Sequence, residues 1–215
     1  AASFGSSVPL RFDPNGVWSI ETALKYADRL RGCLEYLEDP VRGQPAMAAF
    51  RKATGIPLAT NMCTTRLTDI PESLSLHSED IILCDHHFWG GMEPCMALSN
   101  VVSALQRTLS FHSNSHGGIS LAAATHLGCA MPNLHHPIDI HYPWQDGDDI
   151  VSEGSFPIAD GHLSVPDGPG LGVTLDHARF QAAKDLFAAH GALQRDDESE
   201  MKKMDPNWVF KASRY

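Results

Sequence analysis

At 215 residues, with 43% hydrophobic and 20% charged content, the chain is sized for one sizeable core and is too short for two. No apolar run approaches the ~20 residues of a membrane span, and no signal peptide is visible. A formal net charge of -10 argues against a nucleic-acid partner and against bulk steering of anions, so an acidic ligand has to be held by local cations.

Short apolar or β-branched runs alternate with longer amphipathic ones. Strands are predicted at residues 8–13, 34–38, 58–61, 81–85, 109–113 and 138–141, with helical periodicity in most of the gaps between them. Ser19, opening Ser-Ile-Glu-Thr-Ala-Leu, reads as a helix N-cap. The Gly/Pro-rich stretch 161–172 reads as a strand followed by a wrapping loop, and a last helix over roughly 176–190 stops at Gly191. The end, 194–215, is charged and irregular with an isolated Trp208, and is expected to lie over another surface. Cys33, Cys63, Cys84, Cys95 and Cys129 are odd in number and lack a Cys-x-x-Cys pair, so reduced thiols and a cytoplasmic location are expected.

Repeated strand-helix units at this spacing imply a parallel sheet with right-handed crossovers. There is no Gly-x-Gly-x-x-Gly turn and no Walker-type loop, whereas polar residues sit at the C-terminal end of nearly every strand, the working face of a β/α barrel. Such barrels typically need about 250 residues, and only about six units are present here. The expectation is therefore an α/β fold of partial TIM type, with residues 1–190 forming an incomplete catalytic barrel and 191–215 a C-terminal extension packed on it or on a capping domain.

Three tripeptides end successive strands: Asp13-Pro14-Asn15, Glu38-Asp39-Pro40 and Thr60-Asn61-Met62. Carboxylate and amide oxygens delivered at regular intervals suit a hard divalent cation such as Mg²⁺. Asp13 taken alone reads equally well as a helix cap. The next two strand ends supply Asp85 and His112, a carboxylate and an imidazole suited to proton transfer. The whole is a metal-plus-base arrangement.

These tripeptides are followed by Leu83-Cys84-Asp85-His86-His87-Phe88-Trp89, His112-Ser113-Asn114-Ser115-His116 and His141-Tyr142-Pro143-Trp144-Gln145, and in that order the set resembles the glucarate dehydratases of the enolase superfamily. The resemblance runs from Val8 to about Trp208. It implies a modified (β/α)7β barrel, here lacking its first units and the N-terminal capping domain, that binds Mg²⁺ and dehydrates a sugar diacid to 5-dehydro-4-deoxy-D-glucarate. It further implies Asp13, Glu38 and Asn61 as metal ligands, Asp85 and His112 as the catalytic dyad, and Asn15, Asn114, His141 and Arg195 as substrate contacts. Arg195, beside Asp196 and Asp197, also suits a surface salt bridge.

One family element is missing from the sequence. A Lys-x-Lys motif, which supplies a second base and an electrophile in that family, does not occur, and Lys202-Lys203 does not match it. The expected partners are accordingly a missing N-terminal part of the same protein and, as an alternative the sequence allows, further copies of the chain in a homo-oligomer. Two other readings remain. One is a zinc-dependent barrel hydrolase using His86, His112, His116 and His141, although no His-x-His appears. The other is a catalytically incomplete fragment or subunit whose unpaired strand edges demand a partner.

Overall fold

The computed structural model describes residues 8–114, 116–145, 147–152, 154–192 and 196–209. Strand and helix alternate as the apolar runs predict: β1 (Arg11–Phe12), α1 (Ile20–Leu30), β2 (Tyr36–Glu38), α2 (Gln44–Thr54), β3 (Leu58–Thr60), α3 (Ile70–Leu76), β4 (Ile81–Cys84), α4 (Met92–Ala104), β5 (Thr108–Phe111) and α5 (Gly118–Ala130). The strands form one parallel sheet in the order β1-β2-β3-β4-β5. Sequential neighbours joined by helices require crossovers, which gives the repeating βα unit of a barrel.

The strands are short, and their side chains alternate strictly between two faces. Leu37, Leu58, Ile82, Cys84, Leu109 and Phe111 pack outward against the helices, in clusters with Ala23, Ala27, Met47 and Phe50 on one side and Cys95, Leu98, Val102 and Leu127 on the other. Tyr36, Ala59, Ile81 and Leu83 point the opposite way and form an inner cluster. Helix ends follow local rules. Ser19 caps α1 by accepting from the Thr22 N–H, and Gly55 closes α2 in the left-handed conformation. Asp13 is thus not the cap of α1.

The predicted sixth strand at 138–141 does not form. The segment leading into it makes two backbone hydrogen bonds with β5, Leu109 N–H to Asn133 O at 3.1 Å and Asp139 N–H to Phe111 O at 3.2 Å. Between these bonds β5 advances from Leu109 to Phe111 while the segment advances from Asn133 to Asp139, so the two cannot stay in register. Pro137 within it has no N–H to give to a ladder. Its carbonyl instead accepts from Ser110 Oγ at 3.0 Å and from Arg11 Nη1 at 2.7 Å. Arg11 also donates to Glu35, and Glu35 pairs with His136 Nδ1 at 2.7 Å. The sheet therefore curls until its first strand meets the segment that follows α5.

Beyond this, β6 (Ile158–Ala159) and β7 (His162–Leu163) form an antiparallel hairpin where a single strand was expected. Asp160 and Gly161 turn it with positive φ, the Asp-Gly signature of a two-residue hairpin turn. Helix α6 (His177–His190) begins at the Asp176 cap and stops at Gly191 as predicted. The predicted irregular tail contains a helix, α7 (Asp197–Met204), capped by Asp196 and laced by Lys202–Glu198 and Lys203–Glu200 pairs. Among the described residues no helix is long and apolar enough to cross a membrane.

Asp80 ties three elements together. Arg51 of α2 holds it through both guanidinium arms, and the Leu58 N–H at the start of β3 donates to it at 3.0 Å. Burial by itself would raise the Asp80 carboxyl, but these bonds and the Arg51 charge outweigh it and hold the group below its ordinary value. Such a group stabilises the fold above its unfolded pKa, near 3.9, and loses that contribution as pH falls through the lower folded value. Asp80→Asn should therefore cost about 1 kcal/mol at pH 7, the pair being one-third exposed. In urea unfolding the gap from wild type should narrow steadily below about pH 4. An equal cost at pH 7 and pH 3 would show that charge pairing is not its source.

Candidate active site

Side-chain alternation carries the inner face of each strand into its C-terminal loop. Arg11 and Asp13, Tyr36 and Glu38, Ala59 and Asn61, Leu83 and Asp85, and Ser110 and His112 are each two residues apart, so all five strand-end groups share the inner face. A cavity of about 650 Å³ opens there. Asp13, Asn15, Glu38, His112, Asn114 and His141 line it, all six of them residues picked out from the sequence. Asn61 and Asp85 stand just behind, Asn61 bonded to Glu38 and Asp85 to His112. Arg195 lies outside the described residues. A larger, mostly apolar cavity of about 870 Å³ between α6 and the Gln145–Ile150 stretch carries none of the strand-end residues.

The Asp-Pro-Asn-Gly turn after β1 is built for its place. Asn15 N–H donates to Asp13 Oδ1 at 2.6 Å, and Asn15 and Gly16 both take positive φ. A Cβ on Gly16 would lie 2.9 Å from Arg42 Cγ, so the glycine is required by space as well as by backbone angle. Gly16 N–H then donates to Asp39 O at 2.7 Å, which locks the loop after β1 to the loop after β2.

Four carboxyl groups crowd the rim. Burial, then the charges of Asp13, Asp39 and Asp139, pushes Glu38 up to about 9. Burial also raises Asp13, and raises Asp39 to about 6 even though Thr60, Asn61 and Cys63 donate to it. Arg11 acts in the opposite direction on Glu38. Asn61 Nδ2 donates to Glu38 Oε1 at 3.1 Å, so the amide and the carboxylate are held side by side. Among the described residues no three His, Cys, Asp or Glu side chains are grouped to hold a metal ion. The set Asp13, Glu38 and Asn61 takes its third oxygen from an amide. Two partly buried carboxyl groups beside a side-chain amide offer the kind of oxygen donors that a hard divalent cation takes, and their mutual repulsion would be relieved by its charge, so these residues fit Mg²⁺.

The second half of the site is a dyad. His112 Nδ1 lies 2.8 Å from Asp85 Oδ2, and the other Asp85 oxygen accepts from the His87 N–H at 2.8 Å. Burial opposes ionisation of Asp85, but these bonds and the neighbouring imidazoles outweigh it and hold the carboxyl below its ordinary range. An ionised Asp85 accepts from Nδ1–H, an assignment made from the bond itself, and leaves Nε2 with the lone pair. Phe88 stacks on the imidazole with centroids 5.5 Å apart.

Sequence reasoning missed Arg11, Tyr36, Asp139 and Trp144, which also line the cavity. Arg11 had a signal, since it precedes Asp13 by one strand repeat. Its guanidinium lies 4.7 Å over the Tyr36 ring, and its Nη2 is buried without a hydrogen-bond acceptor among the described residues. Asp139 also had one, two residues before His141, and its Oδ2 lies 3.6 Å from His141 Nε2. Trp144 was legible only as part of a motif. Its ring sits 4.8 Å from that of His141.

Residues 1–179 match the family model described as enolase C-terminal domain-like. A probable glucarate dehydratase of Streptomyces coelicolor is 46% identical over 203 residues, 94% of this chain and 47% of the relative. An enolase of Thermobispora bispora crystallised with magnesium and formate is 43% identical with a TM-score of 0.85, covering 94% of this chain and 48% of that one. An enolase of Pseudomonas fluorescens with bound magnesium, potassium and tartrate is 42% identical with a TM-score of 0.86, covering 96% and 49%. The chain thus spans about half the length of the curated relatives it matches. With its parallel sheet, its inward strand ends and a family match over most of its length, this chain belongs to the enolase superfamily as a C-terminal barrel-type domain.

Proposed function

We propose that this chain carries the metal and histidine half of a Mg²⁺-dependent enzyme that dehydrates D-glucarate to 5-dehydro-4-deoxy-D-glucarate. The observation that supports the proposal is that Asp13, Glu38 and His112 line one cavity, with Asn61 bonded to Glu38 and Asp85 bonded to His112. In this reading an N-terminal part of the same protein supplies the Lys-x-Lys strand and a capping domain, and the tail beyond residue 190 packs on the barrel or on that domain. Five unpaired cysteines support a cytoplasmic setting.

A proton next to a carboxylate is very weakly acidic, so its removal needs a positioned base and a means of offsetting the negative charge that develops. Asp13, Glu38 and Asn61 would hold Mg²⁺, which when bound would supply positive charge to offset the charge that develops on the substrate. His112 Nε2 takes the proton from carbon while Asp85 holds Nδ1 and stabilises the imidazolium that results. The electron pair of the broken C–H bond then expels the neighbouring hydroxyl, and the imidazolium is the acid at hand to return a proton to it as water leaves. Asn15, Asn114 and His141 offer amide and imidazole groups for the remaining hydroxyls. Arg195 offers a planar, permanent cation for the distal carboxylate.

Because Glu38 is pushed up to about 9, it holds a proton at neutral pH until a cation arrives. Mg²⁺ binding at pH 7 should therefore release about one proton, and the release should fade as pH approaches that value. Calorimetry in buffers of different ionisation enthalpy reads this directly, and Glu38→Gln should weaken binding and abolish the release. Mg²⁺ binding with no proton release would remove Glu38 from the ligand set.

The reaction itself is tested with His112→Asn in the complete protein. Glucarate dehydration should fall by about 10² to 10⁴, with Mg²⁺ affinity nearly unchanged. Wild-type turnover in that variant would overturn the assignment of the base. Loss of Mg²⁺ binding would instead place His112 among the ligands.

A further inference from the structure

The buried Asp85 carboxylate faces a second imidazole. His116 Nε2 lies 3.7 Å from Asp85 Oδ2, the same oxygen that His112 Nδ1 reaches at 2.8 Å. The longer distance is outside hydrogen-bond range but well within that of charge. A neutral His116 therefore leaves the oxygen to His112, and a protonated one competes for it.

His116 is placed there by other contacts. Its N–H donates to Asn114 O at 2.6 Å, and its carbonyl accepts from Gln145 Nε2 at 2.7 Å. Its ring lies against His87 at 4.3 Å and near His86 at 5.9 Å. His87 in turn meets Ser120 Oγ through Nε2 at 2.9 Å. The backing imidazoles thus rest on α5, and the stack leads from an exposed ring inward to the dyad. The charged and titratable groups facing His116 are Asp85, His86, His87 and His112. Burial, helped by like charge from the three imidazoles, pushes His116 down from its ordinary value, and Asp85 alone acts the other way.

We propose that His116 is a positioning residue of the dyad, an imidazole that shares the Asp85 oxygen and so sets how firmly Asp85 holds His112 in its base-competent tautomer. When His116 is neutral, the Asp85–His112 bond is undivided. Protonating His116 places a second cation on the same oxygen and adds like charge opposite His112, which weakens the Asp85–His112 bond. The proposal rests on the dyad and on neither the substrate nor the metal of the functional reading.

The test follows the imidazole nitrogens of the ¹⁵N-histidine-labelled full chain by NMR as a function of pH, without Mg²⁺ and without substrate. In wild type the His112 nitrogens should show two inflections, their own and one that coincides with the titration of His116. In His116→Gln the second inflection should vanish. His116→Asn should do the same, with circular dichroism confirming the fold of each variant. Should both variants unfold, His87→Gln, which removes the backing ring but keeps the backbone N–H on Asp85, should shift the His116-linked inflection. A His112 titration that superimposes on wild type in every folded variant overturns the proposal. Failure to turn over glucarate leaves this result untouched, so the two readings fail separately.

Discussion

Everything at the rim depends on one geometric constraint, the two-residue alternation of side chains in parallel strands held in register. β1 to β5 pair sequentially, so the step from an inner-face residue to the next inner-face residue takes each strand from its packed interior to its C-terminal loop. The inner-face positions Arg11, Tyr36, Ala59, Leu83 and Ser110 are each followed two residues on by Asp13, Glu38, Asn61, Asp85 and His112. A register slip of one residue would send those groups outward among Met47, Phe50 and Leu98, where a charge has no partner. The apolar core and the chemistry are thus specified by the same pattern.

The constraint has an electrostatic cost. Bringing Asp13, Glu38, Asp39 and Asp139 to one partly buried rim raises the first three against their ordinary values. The fold offsets part of this with N–H and O–H donors, notably Asn61 N–H and Met62 N–H to Asp39. Arg11 supplies a fixed positive charge near Glu38 while bridging to Glu35 and Pro137. A rim of this kind is stabilised most by a compact divalent charge, which is the physical sense of placing oxygen donors where mutual repulsion is greatest.

The dyad side is built on the opposite logic. Asp85 stays ionised because backbone and imidazole donors surround it, so it can orient His112 rather than compete for protons. Phe88 covers one face of His112, and His116, packed against His87, approaches the same Asp85 oxygen as His112. The two halves of the site therefore carry opposite tendencies, proton retention at Glu38 and ionisation at Asp85, within one cavity. Groups whose environments push them apart in this way are suited to divide metal binding and proton transfer between them.

Apolar runs ended by polar residues were enough to read five strands, most of the helices between them and six residues of the cavity wall, because strand alternation is a local property of the chain. The α1 cap at Ser19 and the α6 stop at Gly191 were legible because capping is local as well, and the pairing of Asp85 with His112 because they end neighbouring strands. The sixth strand was not, since Ile138-Asp139-Ile140-His141 has strand alternation but must pair in register with β5, and Pro137 together with the extra residues after Asn133 forbids it. Nor could the sequence show that Asp39 and Asp139 join the carboxylate rim, that Arg11 bridges to the far segment, or that His116 leans on the Asp85 oxygen. Those relations depend on how far the sheet curls, and curl is set by contacts between residues distant in sequence, which no local pattern encodes.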